Sequence, residues 1–197
     1  MRPSARPPSI ADLGSGTGFY SAVVSRDLGA ERVLVADRSP DAVRWSRRHH
    51  REVTGREATG VVLDLWRPLP IVDGAADLIL DVFAPRNPPE YARILSPAGA
   101  VIVVVPTSRH LAELRAAGSL LEIPDGKDER VIEQFTAAGL SLAGRRPVDH
   151  SFSAAEDQLA QLVAMGPSAH HRAEGEPVEA RTVTASVEVL AFTQHRR

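Results

Sequence analysis

Short apolar runs alternate with amphipathic stretches over the first hundred residues, and each run is the length of one strand. Ser9 to Leu13 reads as a strand, followed by a helix from Phe19 to Leu28 with Val23, Val24 and Leu28 facing inward and Gly29 closing it. Arg32 to Asp37 is a second strand, nearly all apolar, as befits a parallel sheet covered on both faces. Ser39-Pro40-Asp41 supplies a cap and a first-turn proline for a helix running to about Thr54. Gly60 to Asp64 and Ala76 to Phe83 are the third and fourth strands. Glu90 to Leu95 is a short helix stopped by a Ser96-Pro97-Ala98-Gly99 turn. Ala100 to Val105 is a β-branched strand ended by Pro106. Helical stretches follow at Arg109 to Ala117 and Lys127 to Ala138, and strands at Leu142 to Phe152 and Thr182 to Thr193 flank a helix from Ala154 to Met165. The pattern predicts an α/β fold: a mostly parallel, seven-stranded, doubly wound sheet with right-handed crossovers, helices on both faces, and its last two strands as an antiparallel edge.

A chain of 197 residues fits one such domain, over 9–197, with 1–8 as a flexible lead. The formal net charge of −2 gives no global pull towards nucleic acid, so a polyanionic partner has to be met by a local patch. The helix carrying Arg44, Arg47, Arg48, His49, His50 and Arg51 offers one, with a merely solvated face as the other reading. With no cysteine, disulfides, thiolate metal sites and cysteine nucleophiles are excluded, which is compatible with a cytoplasmic location. His170 and His171, in a polar loop from Gly166 to Arg181, have no carboxylate cage around them, so no metal is expected. No apolar run is long enough to span a membrane as a helix. Trp45 and Trp66 read as core or pocket-wall residues.

The candidate chemistry gathers at Asp12-Leu13-Gly14-Ser15-Gly16-Thr17-Gly18-Phe19-Tyr20. Alternate glycines permit positive φ and close backbone approach to a ligand, and the following helix would aim its free N–H groups at the ligand's negative end. The spacing is G-x-G-x-G rather than the dinucleotide G-x-G-x-x-G, which argues against NAD. Asp37 ends the second strand, where a carboxylate can accept both hydroxyls of a ribose, and Asp64 ends the third, where it can accept from an exocyclic amine. Three carboxylates at successive strand ends behind such a loop resemble the S-adenosylmethionine site of the Rossmann-like class I methyltransferases. That resemblance implies a cofactor set of Asp12, Gly14, Ser15, Gly16, Gly18, Tyr20, Asp37, Arg38, Asp64, Leu65 and Phe83, with S-adenosylhomocysteine as product.

The segments Phe83-Ala84-Pro85-Arg86-Asn87-Pro88-Pro89-Glu90, Arg93 to Gly99, Val105-Pro106-Thr107-Ser108-Arg109-His110-Leu111, Leu162 to His171 and Thr184 to Val189 resemble the large-subunit (23S) rRNA (guanine-N1)-methyltransferases. This family includes macrolide-resistance enzymes of the tylosin type. The resemblance implies 23S rRNA or a ribosomal precursor as partner, with Phe83, Pro85, Arg86, Arg109 and His110 against the acceptor. Guanine N1 carries a proton at neutral pH, so a base or an O6-stabilising group is expected, and Asp81, Arg86 and Asn87 are the candidates. The family also carries a cysteine-rich zinc module ahead of this domain, which this chain lacks, so a catalytic-domain fragment or a shortened relative is expected. A small-molecule methyltransferase and a non-catalytic cofactor-binding domain remain the alternatives.

Overall fold

The computed structural model describes residues 6–116, 120, 123–124, 126–165 and 180–195. In chain order the elements are β1 (Ser9–Leu13), α1 (Phe19–Leu28), β2 (Arg32–Asp37), α2 (Pro40–Thr54), β3 (Thr59–Val62), β4 (Ala76–Val82), α3 (Pro88–Ile94), β5 (Leu95–Pro106), α4 (Ala112–Ala116), α5 (Lys127–Ala137), β6 (Leu140–Ala154), α6 (Glu156–Met165) and β7 (Arg181–Gln194). The sheet is seven-stranded in the order β3-β2-β1-β4-β5-β7-β6. Pairing from β3 through β5 is parallel. β7 alone runs the other way, antiparallel to both of its neighbours: Gln194 Nε2 reaches Leu95 O while Thr107 N donates to Ser186 O, and Ser141 meets His195 while Ser153 meets Thr182. The expected antiparallel edge is therefore present. Strand order reverses at β1, which has β2 on one side and β4 on the other, and a crevice opens beyond the carboxyl ends of strands at such a switch point.

Several boundaries differ from the sequence reading for physical reasons. The Ser96–Gly99 stretch is a bulge inside β5, since Ala76 pairs with Leu95 while Leu78 already pairs with Ala100. Ser96 Oγ fixes that bulge by donating to Asp77 Oδ1 at 2.9 Å. Phe83 falls just past β4, and β3 stops at Val62, so Asp64 lies in the following loop rather than on the strand. On α1, Leu28 is 52% exposed and the buried face is Ser21, Ala22 and Ser25. Small residues are needed there because α1 and α2 approach closely: a Cβ at Gly18 would sit 2.2 Å from Ser46 Oγ of α2.

The contacts gather into two compact units, with 1–104, 131–145 and 190–197 in the first and 105–130 and 146–189 in the second. In the first, Ile10, Val33, Val35 and Leu80 are buried together, and Phe135 of α5 stacks on Phe192 of β7 at 4.4 Å with Tyr91 edge-on to it. In the second, Leu111, Leu114, Leu159, Val163 and Val183 form a separate cluster. Arg6, within the expected flexible lead, pairs with Asp77 at 3.0 Å. His170 and His171 lie outside the described residues.

Candidate active site

The glycine loop hangs from the end of β2: Gly14 N and Ser15 N both donate to Ala36 O, at 2.8 and 3.0 Å. Gly14, Gly16 and Gly18 all take positive φ, of 85°, 52° and 78°. Their neighbours differ. A Cβ at Gly14 would lie 2.3 Å from Ala84 Cβ, and one at Gly18 would strike Ser46, so these two glycines serve packing within the protein. A Cβ at Gly16 would meet nothing within 4 Å. Gly16 is the position at which the loop backbone faces open space. Beside it, Ser15 is buried and its Oγ has no hydrogen-bond partner, a group left for a polar ligand to satisfy.

Each acid is already engaged. Asp37 Oδ2 accepts from Gly16 N at 3.0 Å and Oδ1 from Ser39 N at 2.9 Å, which aims its carboxylate across the loop. A carboxylate has about four lone-pair sites, so two of these bonds leave room for a diol. Asp12 is 2% exposed and lies beside Ser21 in the first turn of α1, and the Ser21 Oγ donates to Gly18 O at 3.2 Å. Burial pushes the Asp12 pKa up to about 6, against the pull of Ser21, and the nearby Asp37 charge adds to the rise. Asp64 closes an Asx turn, Oδ1 accepting from Trp66 N at 3.0 Å. Leu63 N donates to Asp37 O at 3.0 Å, which carries this loop to the end of β2, and Leu65 Cδ1 comes within 3.6 Å of the Cβ position at Gly14. Asp12, Gly14, Gly16, Asp37, Asp64 and Leu65 are therefore gathered at one place. Tyr20 and Arg38 are exposed beside them.

Past β4 the chain turns through Phe83, whose φ of 57° is a strained left-handed conformation for an aromatic residue and whose ring is 49% exposed. Pro85 is exposed as well. Asp81 is fully buried, and Tyr91 Oη donates to its Oδ2 at 2.8 Å. Its Oδ1 has no aligned partner, although the Ala84 N–H and the Arg86 guanidinium both favour the charged form. Desolvation outweighs them and raises the pKa to about 7. Arg86 Nε is buried without a partner. Asn87 spends its amide on Leu65 O, at 2.8 Å, and Arg67 O, so it braces the loop after β3.

Sequence reasoning missed the other brace. Arg93 donates to Leu69 O, Ile71 O, Asp73 and Glu90, while Glu90 Oε2 accepts from Leu69 N at 2.6 Å. Tyr91, the partner of Asp81, was also unmarked in the sequence, where it reads as one apolar position of a short helix.

Arg109 and His110 belong to the second unit, in a turn that precedes α4. Thr107 Oγ1 accepts from Arg109 N at 3.1 Å, Arg109 pairs with Asp149, and the buried Arg115 donates to Ser108 O and His110 O. His110 Nδ1 accepts from Ser186 N at 3.2 Å, so the neutral ring carries its proton on Nε2. Burial, Arg115 and Lys127 lower the His110 pKa. Trp45 and Trp66 are 57% and 70% exposed, not core residues. Among the described residues no group of three His, Asp or Glu is placed to hold a metal, and no helix is long and apolar enough to cross a membrane.

A parallel sheet reversing at β1, a glycine loop facing open space at Gly16, and Asp37 turned across that loop are features of the Rossmann-like fold of class I S-adenosylmethionine-dependent methyltransferases. Residues 10–102 match the methyltransferase domain family. A solved structure of a candidate methyltransferase from Bacillus halodurans shares the fold, with a TM-score of 0.65 at 12% identity over 96% of this chain and 94% of the other. Among curated proteins, the chain is similar to 23S rRNA (guanine-N1)-methyltransferases. It is 41% identical over 84% of its length to the 23S rRNA (guanine(748)-N(1))-methyltransferase of Streptomyces fradiae. It is 36% identical over 96% of its length to a candidate 23S rRNA (guanine-N1)-methyltransferase of Micromonospora griseorubida. It spans 57% and 65% of the lengths of these two relatives.

Proposed function

We propose that this chain transfers the methyl group of S-adenosylmethionine to N1 of a guanine in 23S rRNA. The observation that carries the reading is the 41% identity to the Streptomyces fradiae enzyme, which extends over 166 residues and so past the 10–102 stretch that matches the methyltransferase domain family. When bound, the cofactor would supply an electrophilic methyl group, the sulfur would keep the electron pair of the broken C–S bond as N1 takes the methyl, and the N1 proton would pass to solvent. The chain's part is alignment and electrostatics, which in such a displacement supply much of the rate. Asp37 takes the ribose diol, Ser15, Gly16 and Tyr20 border the ribose and methionine end, and Asp64, Leu65 and Arg38 face the adenine. Asp12 contributes its charge to the field around the sulfonium. Phe83 and Pro85 offer the acceptor base a stacking surface and Arg86 a donor to it, while the family resemblance assigns Arg109 and His110 of the second unit to the RNA.

Full burial keeps Asp81 from touching the base, so its assigned role is to position Tyr91 and Arg86, and Asn87 positions the adenine-side loop. The reading implies work in the cytoplasm, where ribosomes are made, and macrolide tolerance as a cellular consequence. Incubation with labelled S-adenosylmethionine and 23S rRNA tests it, because N1-methylguanine stops reverse transcription. A stop at one guanine, absent with Asp37→Ala, is the expected result. Methyl incorporation only into small molecules, or cofactor binding without transfer to RNA, contradicts it.

A further inference from the structure

Three large rings stand exposed where α1 and α2 meet: Phe19 and Tyr20 in the first turn of α1, and Trp45 on the outer face of α2, at 57%, 46% and 57%. They belong to one surface. Phe19 stacks on His49 of α2 with centroids 6.3 Å apart and planes 18° from parallel, and Tyr20 meets Phe19 edge-on at 5.4 Å. His49 lies one helical turn beyond Trp45, on the same face. The Arg48 guanidinium sits over the Trp45 ring, 5.4 Å from its centroid. Single exposed apolar residues need no explanation, but a contiguous set of rings at the rim of the cofactor loop does.

The charge on this surface has the opposite sign to that of the chain. Arg44, Arg47, Arg48 and Arg51 of α2 outnumber the carboxylates near them, which are Asp41 and Glu52 in the helix and Glu57 just beyond it, paired with Arg47 at 3.6 Å and Arg51 at 3.0 Å, in a protein of net charge −2. Arg44 pairs with Asp41, and Arg48 with Glu52 at 2.8 Å. Both pairs are exposed, and exposed pairs contribute little to stability, so a phosphate oxygen can replace either carboxylate at little cost.

We infer that this α1–α2 face is a docking surface for single-stranded RNA, whose unpaired bases stack on Trp45 and Phe19 while Arg44 and Arg48 take the phosphates. The inference rests on the reading of the acceptor as rRNA. A duplex would engage the arginines but hide its bases from the rings. Because Phe19 directly follows Gly18, a strand lying here leads to the edge of the cofactor loop.

The chain has two tryptophans, so Trp66→Phe leaves Trp45 as the sole reporter. Titration of that variant with a mixed-sequence single-stranded RNA of about twelve nucleotides should quench its emission saturably. Trp45→Ala should weaken oligonucleotide binding by about tenfold, and Arg48→Gln should reduce the slope of log K against log salt by about 0.7, with S-adenosylhomocysteine affinity unchanged in both. Unchanged emission together with unchanged affinity in Trp45→Ala overturns the inference. So does a change in the oligomeric state of Trp45→Ala with no change in RNA affinity, which assigns the face to a second copy. If guanine-N1 transfer fails while Trp45→Ala still loses oligonucleotide binding, the surface stands and the acceptor reading falls. Normal transfer by Trp45→Ala at subsaturating RNA has the reverse meaning.

Discussion

A methyl group added at Gly18 lands 2.2 Å from Ser46 Oγ, whereas one added at Gly16 meets nothing within 4 Å. Gly16→Ala therefore keeps the fold at a cost of about 1–2 kcal/mol for its positive φ, but weakens S-adenosylhomocysteine binding at least roughly tenfold by projecting into the ligand's space. Gly18→Ala adds a steric clash to the same backbone cost, and thermal melting should show it as the more destabilised protein. Ser46→Gly should restore part of the loss, measured as coupling in a double-mutant cycle. Asp81 makes a second residue-scale case. Its folded pKa of about 7 lies above the value of 3.8 for a free carboxyl, so the native state binds the extra proton. Stability from this group is full below pH 4 and is lost as pH rises through 7. Denaturant melts of Asp81→Asn should show a gain over the wild type at pH 8 that shrinks towards pH 4. In Tyr91→Phe, which deletes the donor to Oδ2, the loss should instead grow with pH.

At the level of elements, two loops are held by side chains distant in sequence. Arg93 and Glu90 of α3 grip residues 69–73, and these partners hold the Glu90 pKa down at about 2. A depressed carboxyl stabilises above its unfolded pKa and loses that contribution as pH falls. Arg93→Ala is thus expected to lower Tm at neutral pH by several degrees, with the deficit narrowing towards pH 2, as read by circular dichroism. Nothing in the sequence marked this clamp, because Glu90 and Arg93 at i, i+3 look like an ordinary surface pair. By contrast β1, β2, α2 and the mostly parallel character of the sheet were legible, since apolar runs of strand length, Ser39 as cap and Pro40 at the first helical position are local signals. The inward face of α1 was not, since Ser21, Ala22 and Ser25 are buried by the close approach of α2 rather than by their own hydrophobicity. The bulge at Ser96 to Gly99 read as a turn because its residues are turn formers, and only its pairing with Ala76 and Leu78 shows that the strand continues. Asp12, Asp37 and Asp64 were found in order from the sequence, yet their present partners, Ser21, Gly16 and Trp66, depend on the folded loop.

Over the whole molecule, the acids at the strand ends form a coupled set. Asp12 feels Asp37 and Asp81 feels Asp12, and burial keeps the first near pH 6 and the last near pH 7. A cationic cofactor is attracted by this set only while it is ionised. S-adenosylmethionine affinity should accordingly decline as pH falls below 6, and an Asp12→Asn variant should show a flatter profile. The class of the protein depends on that ligand occupying the Gly16–Asp37 crevice, and calorimetric titration with S-adenosylhomocysteine tests it most directly. The wild-type chain should bind saturably at one site, and Asp37→Ala, shown to be folded by circular dichroism, should bind at least roughly tenfold more weakly. Equal affinity in the two folded proteins, or no binding to the wild type, would contradict the account.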